Sequence, residues 1–101
     1  MHVISRKKLR EAAEKHPDVE QPLDTWYRIA KRARWKSLHD VRQTYRHADS
    51  VGKCTVFNIK GNAYRLIVVI KYRTGKVFIR HLLTHAEYDR EDWQHECGRT
   101  H

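Results

Sequence analysis

Tyr64-Arg65-Leu66-Ile67-Val68-Val69-Ile70-Lys71-Tyr72-Arg73 sorts by parity. The even positions, Tyr64, Leu66, Val68, Ile70 and Tyr72, are all apolar or aromatic, while the odd ones run Arg65, Ile67, Val69, Lys71, Arg73. Successive side chains of a strand point to opposite faces. This stretch is therefore a β-strand with one core face and one face carrying cations at both ends. On one side, a Lys60-Gly61-Asn62 turn joins it to Cys54 to Ile59. On the other, a Thr74-Gly75 turn leads to Lys76 to Thr84. Turns this short between consecutive strands make antiparallel hairpins, so the region is a meander. From Ser50 to Ala86 it contains seven Lys or Arg and not one Asp or Glu. An ordinary solvated face mixes signs, and cations on a partly apolar surface cost free energy unless an anion arrives. Phosphate is the obvious anion.

The preceding half reads as helices. Met1 to Ile4 suits a short edge strand, and Ser5 an N-cap for a helix with Leu9, Ala12 and Ala13 inward, ending at His16-Pro17. Asp18, with Gln21 three residues on and Pro22 in the first turn, is read as capping a second helix. Its stripe is Leu23, Trp26, Ile29 or Ala30, and Ala33, and its outer face holds Arg28, Lys31, Arg32 and Arg34. Ser37 to Asp40 resembles a capping box opening a short third helix, and His47 to Gly52 reads as a loop. After the meander, residues 85–93 read as a short terminal helix and 94–101 as a flexible, frayed tail. The expectation is an α+β fold in one domain, residues 1–101, with N-terminal helices covering one face of a three- to four-stranded antiparallel sheet.

Composition narrows the partners. Leu, Ile, Val and Phe total 22 of 101 residues, so the core is modest. Net charge +9 and a pI near 9.9 favour nucleic acid first, an acidic protein second and an anionic membrane third. Leu66 to Ile70 is the longest aliphatic run, far short of a membrane span. No apolar signal core follows the basic N-terminus. Cys54 and Cys97 form no recognised pattern, and a reduced, cytoplasmic protein is the natural expectation.

The chemistry-bearing residue types point away from metals and cofactors. On a strand His81 and His85 would stand roughly 13 Å apart, too far to share one ion. His95-Glu96-Cys97 with His101 is closer to a ligand cluster but lies in the expected tail. No glycine-rich phosphate loop and no nucleophile triad is legible. The Lys, Arg, His and Tyr around the meander suit metal-free RNA cleavage, in which a base takes the 2′-hydroxyl proton, an acid protonates the departing 5′ oxygen and cations hold the phosphorane. Composition alone leaves cleavage and plain nucleic-acid binding equal.

Val56-Phe57-Asn58-Ile59-Lys60-Gly61-Asn62-Ala63-Tyr64-Arg65-Leu66, followed by an aliphatic strand and Ile79-Arg80-His81-Leu82-Leu83-Thr84-His85-Ala86-Glu87-Tyr88-Asp89, resembles the HigB-type toxins of the RelE-like mRNA interferases. The Asn-Ala-Tyr-Arg-Leu hairpin and the Thr-His-Ala-Glu-Tyr-Asp ending carry most of the likeness, with the N-terminal strand, the Ala-rich first helix and Trp26 consistent with it. The resemblance implies a microbial-RNase-like fold and a type II toxin that cuts mRNA in the ribosomal A site; with no legible metal site, no cofactor or metal is expected. It also implies a cognate helix-turn-helix antitoxin of the HigA kind, with operator DNA bound only through the antitoxin complex. By position, Arg65 matches the arginine used against the scissile phosphate, His85 a basic residue ending the last strand, and Tyr88 a near-terminal tyrosine. These three are the catalytic candidates, with Tyr88 favoured as base or orienting group and His85 as acid or phosphate ligand. Asn58, Lys60, Lys71, Arg73 and Arg80 are the candidates for RNA contact.

Bland readings stand beside these. Arg65 could pair with Glu87 or Asp89, His85 could cap the terminal helix, Tyr88 could be core, and the three Trp suit packing better than base stacking. Two other functions remain open, a non-catalytic nucleic-acid-binding module and a toxin of the same fold directed at another target such as gyrase.

Overall fold

The computed structural model describes residues 1–98. Strand β1 (His2–Ile4) leads into helix α1 (Arg6–Lys15), a 3₁₀ turn (Pro17–Val19), helix α2 (Glu20–Arg32) and helix α3 (Leu38–Thr44). The sheet continues with β2 (Asp49–Val51), β3 (Cys54–Ile59), β4 (Tyr64–Lys71) and β5 (Lys76–Thr84), and the chain closes with α4 (His85–Asp89) and a 3₁₀ segment (Asp92–Cys97). Strand order is β1-β5-β4-β3-β2.

The α+β architecture matches expectation, with five strands rather than three or four. Strand β2, expected as loop, pairs antiparallel with β3 through a two-residue Gly52-Lys53 turn, with Gly52 at φ 57°. Glycine at the first central position of such a turn suits a hairpin. Strand β1 runs parallel to β5, His2 opposite Lys76 and Ile4 opposite Phe78, so the sheet is mixed. The helices between β1 and the meander provide the long crossover that a parallel neighbour requires.

Two expected caps are absent. Ser5 sits in the left-handed region (φ 72°) and makes no side-chain cap. Helix α2 starts after Val19, and the carboxylate of Asp18 instead accepts from the Tyr64 hydroxyl at 3.0 Å and from Lys60 Nζ at 2.8 Å. Those bonds tie the helical layer to the β3–β4 turn. Ser37 does cap α3, its Oγ accepting from the Asp40 N–H at 3.4 Å.

The parity of β4 holds. Leu66, Val68 and Ile70 pack under the helices with Trp26, Phe57 and Val41. Ile67 and Val69 face the other way, but they are buried in a second cluster with Val51, Cys54, Val56, Trp93 and Cys97. The face expected to be an open, cationic surface is thus a second core at its centre, covered by the C-terminal segment. Gln94 and Cys97, expected in a frayed tail, belong to that cover, being 8% and 1% exposed. Residues 99–101 lie outside the described residues.

A disulfide joins Cys97 to Cys54, whose Cα atoms are 5.3 Å apart, and the Lys53 N–H donates to the Cys97 carbonyl at 2.9 Å. The expectation of two unrelated, reduced thiols is corrected here. Folding brings together residues 43 positions apart because the C-terminal segment crosses back over β3. The Glu96 carboxylate, paired with His81 Nε2, adds a second tie.

A bulge explains why β5 shows no clean alternation. Ile67 pairs with His81 but Val68 with Ile79, leaving Arg80 as the extra residue. Val77 and Ile79 face the helices before it and Leu82 does so after it, as expected when one inserted residue shifts the strand's phase.

Candidate active site

The end of β5 and the start of β4 meet at one corner of the sheet, where Tyr64 is paired with Thr84. Thr84, not His85, caps α4. Its Oγ1 accepts from the Glu87 N–H at 3.2 Å, and Glu87 Oε1 accepts from the Thr84 N–H at 3.0 Å. These bonds hold the Glu87 carboxyl below its ordinary range, the Thr84 backbone N–H contributing most. The His85 N–H donates to the Ala63 carbonyl at 3.1 Å, pinning α4 to the β3–β4 turn.

With the cap assigned to Thr84, the imidazole of His85 is free to engage Asp89 one turn on. Nδ1 lies 2.9 Å from Asp89 Oδ2, and both side chains are about half exposed. An ionised carboxylate only accepts. Nδ1 therefore carries a proton, and in the neutral ring Nε2 holds the lone pair.

Arg65 reaches the same corner. Its Nη1 donates to the carbonyls of Asn62 at 3.0 Å and Tyr64 at 3.2 Å, and its guanidinium carbon stands 5.2 Å from the centre of the Tyr88 ring. Among the described residues it forms no ion pair, so neither Glu87 nor Asp89 neutralises it. The Tyr88 ring also stacks on Trp93, with centroids 5.0 Å apart and planes 20° from parallel. Trp93 Nε1–H donates to the Tyr88 carbonyl at 2.9 Å. Burial pushes the Tyr88 phenol up, with the negative charge of Asp49 adding and Arg65 opposing. Tyr88 thus keeps its proton at neutral pH. Asn58, cross-strand partner of Arg65, shares its face, and its amide reaches Asn62 Oδ1 at 3.5 Å.

The remaining RNA-contact candidates lie elsewhere or are engaged. Lys60 is at the same turn, but its ammonium is held by Asp18, which raises the Lys60 pKa while Lys60 lowers that of Asp18. Lys71 is six residues along β4 from Arg65, roughly 20 Å at the rise of a strand, and stands opposite Lys76. Arg73 follows in the next turn. Arg80, on the bulge, lines a cleft between α1 and β5 with Lys8 and Lys15. The covered centre of the face separates the Arg65 corner from the Lys71 end.

Three features were missed in the sequence. Asp89 had a signal, the i,i+4 spacing from His85 on a short helix. Trp93 gave only an aromatic with no periodic partner, and the cysteine pair gave none. The His95-Glu96-Cys97 run, set aside in the sequence as part of a tail, has no free thiolate, because the Cys97 sulfur is bonded to Cys54, and His101 lies outside the described residues. Among the described residues no group of three or more His, Cys, Asp or Glu is placed to hold a metal, and no helix is long and apolar enough to cross a membrane. A groove of about 650 Å³ runs between α1 and α2, lined by Leu9, Tyr27 and Leu23, and does not include the Arg65 corner.

A guanidinium, an imidazole and a phenol at one corner of a basic α+β domain are the group types that side-chain acid–base chemistry on phosphate uses. Known proteins give that class a family. The model of the HigB toxin, the RelE-like toxic component of a toxin–antitoxin system, matches residues 19–91. The mRNA interferase HigB of Escherichia coli O6:H1 is 30% identical over 93 residues, covering 89% of this chain and 90% of that protein. The mRNA interferase toxin HigB of Escherichia coli K12 is 30% identical over 92 residues, 88% of each chain, and the mRNA interferase HigB of Shigella flexneri matches equally. The chain belongs to the HigB toxin family.

Proposed function

We propose that this toxin is an RNA endonuclease that cleaves mRNA on the ribosome, in the A site, and so blocks translation. The observation that carries this reading is the meeting of Arg65, His85 and Tyr88 at one corner of a HigB-family domain. The names of the relatives, all mRNA interferases, supply the substrate class. Nε2 of His85, its tautomer set by Asp89, accepts the proton of the 2′-hydroxyl as that oxygen attacks the adjacent phosphorus. Arg65 holds the charged phosphorane, two of its contacts being fixed backbone carbonyls, so little reorganisation is needed. Tyr88, proton-bearing at neutral pH, donates to the departing 5′ oxygen. This assignment reverses the roles favoured from the sequence, because burial keeps the Tyr88 phenol protonated and so leaves no phenolate at neutral pH to act as base. The products are a 2′,3′-cyclic phosphate and a 5′-hydroxyl.

Every step is assigned to a side chain, so the reaction requires no metal. A cognate antitoxin with a helix-turn-helix domain would neutralise the toxin, and operator DNA would be reached through that complex. Cytoplasm is the compartment that holds the proposed substrate. Single-turnover cleavage of mRNA on purified ribosomes, with the ends mapped, tests the reading. Cyclic-phosphate ends that persist in EDTA, with ribosomes shown to stay intact, support it. Absence of cleavage with growth arrest intact would favour another target, and absence of both a binding module.

A further inference from the structure

The mechanism uses Tyr88 but leaves unexplained what holds it. Helix α4 is only five residues long, and Tyr88 lies one residue from its end, where an isolated turn frays. Trp93 meets Tyr88 twice, through the ring stack and through the bond from Nε1–H to the Tyr88 carbonyl. Trp93 is itself fixed from behind by the second core and by the segment that ends at the Cys54–Cys97 bond. No other aromatic ring stacks on Tyr88 among the described residues.

We infer that Trp93 is a positioning residue for Tyr88, and that the Cys54–Cys97 disulfide is the latch that keeps Trp93 in place. The inference rests on the reading of Tyr88 as the proton donor. Trp93 is buried and stacked on the Tyr88 ring, so it acts on the transition state through the aim of the phenol. The latch opens chemically. A dithiol gives two electrons and two protons to the Cys54 and Cys97 sulfurs, two thiols form, and the dithiol closes to its own cyclic disulfide. The opened segment loses its covalent tie to β3 and is held by non-covalent contacts, among them the His81–Glu96 pair, the Lys53 backbone bond and its apolar packing. Activity therefore rises with oxidation of this pair.

Single-turnover cleavage on ribosomes and the NMR signals of the Tyr88 ring test this together. Trp93→Leu should lower the rate at saturating ribosome about 10- to 100-fold, the scale of a reacting group displaced by an ångström, with the half-saturating concentration unchanged. The upfield ring-current shift of Tyr88 should vanish with it. Trp93→Phe, which keeps a stacked ring, should restore most of both. Dithiothreitol should move the wild-type chain toward the Trp93→Leu rate and leave Trp93→Leu unchanged, since the two act on one element. Equal losses in Trp93→Leu and Trp93→Phe, or a wild-type rate in Trp93→Leu, would overturn the positioning role. A further, equal loss on reducing Trp93→Leu, or complete unfolding of the reduced wild type by circular dichroism, would overturn the latch. If the wild type cleaves nothing while the ring shifts follow the expected order, the placement of Tyr88 stands and the proposed reaction is what fails.

Discussion

The guanidinium of Arg65 sits 5.2 Å from the centre of the Tyr88 ring. A strand residue and a helix residue 23 positions apart in the numbering are thereby joined in one contact. A cation over an aromatic face contributes roughly 0.5–1 kcal/mol when exposed and about 2 when desolvated. Arg65→Ala should relieve growth arrest and slow cleavage roughly 10²–10³-fold, the usual effect of deleting one charge-stabilising donor. Arg32→Ala, on the outer face of α2, should do neither. Expression toxicity and single-turnover rates of the two folded variants decide it, and equal effects would move the activity to the helices.

His85→Ala and Tyr88→Phe should each lower the single-turnover rate by about 10²–10⁴, the range for general acid–base participation, with ribosome binding little changed. Asp89→Asn should cost less than His85→Ala, because the ring remains while its tautomer is no longer set. Wild-type cleavage by both His85→Ala and Tyr88→Phe would make these residues structural.

Removing the disulfide should destabilise the domain without abolishing its fold. The bond closes a loop across 43 positions, and loss of a native bond in a small domain typically costs about 2–5 kcal/mol. The Cys54→Ala/Cys97→Ala chain should melt on the order of 10–30 °C lower. A thermal scan that places the two proteins within a degree would show that the disulfide adds nothing to stability.

Acid should loosen the α4 junction. The Glu87 carboxyl is lowered in the folded chain, chiefly by the Thr84 backbone N–H. Its contribution is therefore complete above the unfolded glutamate value and is lost as pH falls through the lower, folded value. The thermal midpoint of Glu87→Gln should fall short of wild type at pH 6, and the gap should close toward pH 3. A constant gap across that range would mean that the carboxylate charge is irrelevant to the cap.

RNA affinity should depend strongly on salt. Contact with about five phosphates predicts a slope of log affinity against log salt of roughly −3.5 to −4.5. Lys71→Ala should flatten the slope more than Lys60→Ala, because the Lys60 ammonium is already paired with Asp18 at 2.8 Å. The reverse order would show that the Asp18 pair opens on the RNA.

Local rules recovered most of the elements. The alternation in β4 named its two faces correctly, and the short glycine turns gave the meander. Misreadings fell where a long-range partner outbid a local one. Asp18 looks like a helix cap in sequence, yet Lys60 and Tyr64 offer its carboxylate an ammonium and a hydroxyl from across the fold. The blurred alternation of β5 concealed a bulge at Arg80, visible only against the register of β4.

By itself the sequence determined the α+β class, the two-faced central strand, the basic character and the three residues proposed to act. Each follows from periodicity, charge or a motif, properties that neighbouring residues carry together. Tertiary structure decided which candidates meet. It brought Arg65 to Tyr88, gave His85 the carboxylate of Asp89, engaged Lys60 elsewhere and left Lys71 and Arg73 at the far end of the strand. It also turned the middle of the cationic face into a core, because Trp93 and Cys97 bury Ile67 and Val69. Burial and pairing at that distance depend on how the last segment crosses the sheet, and no local pattern in the chain encodes that crossing.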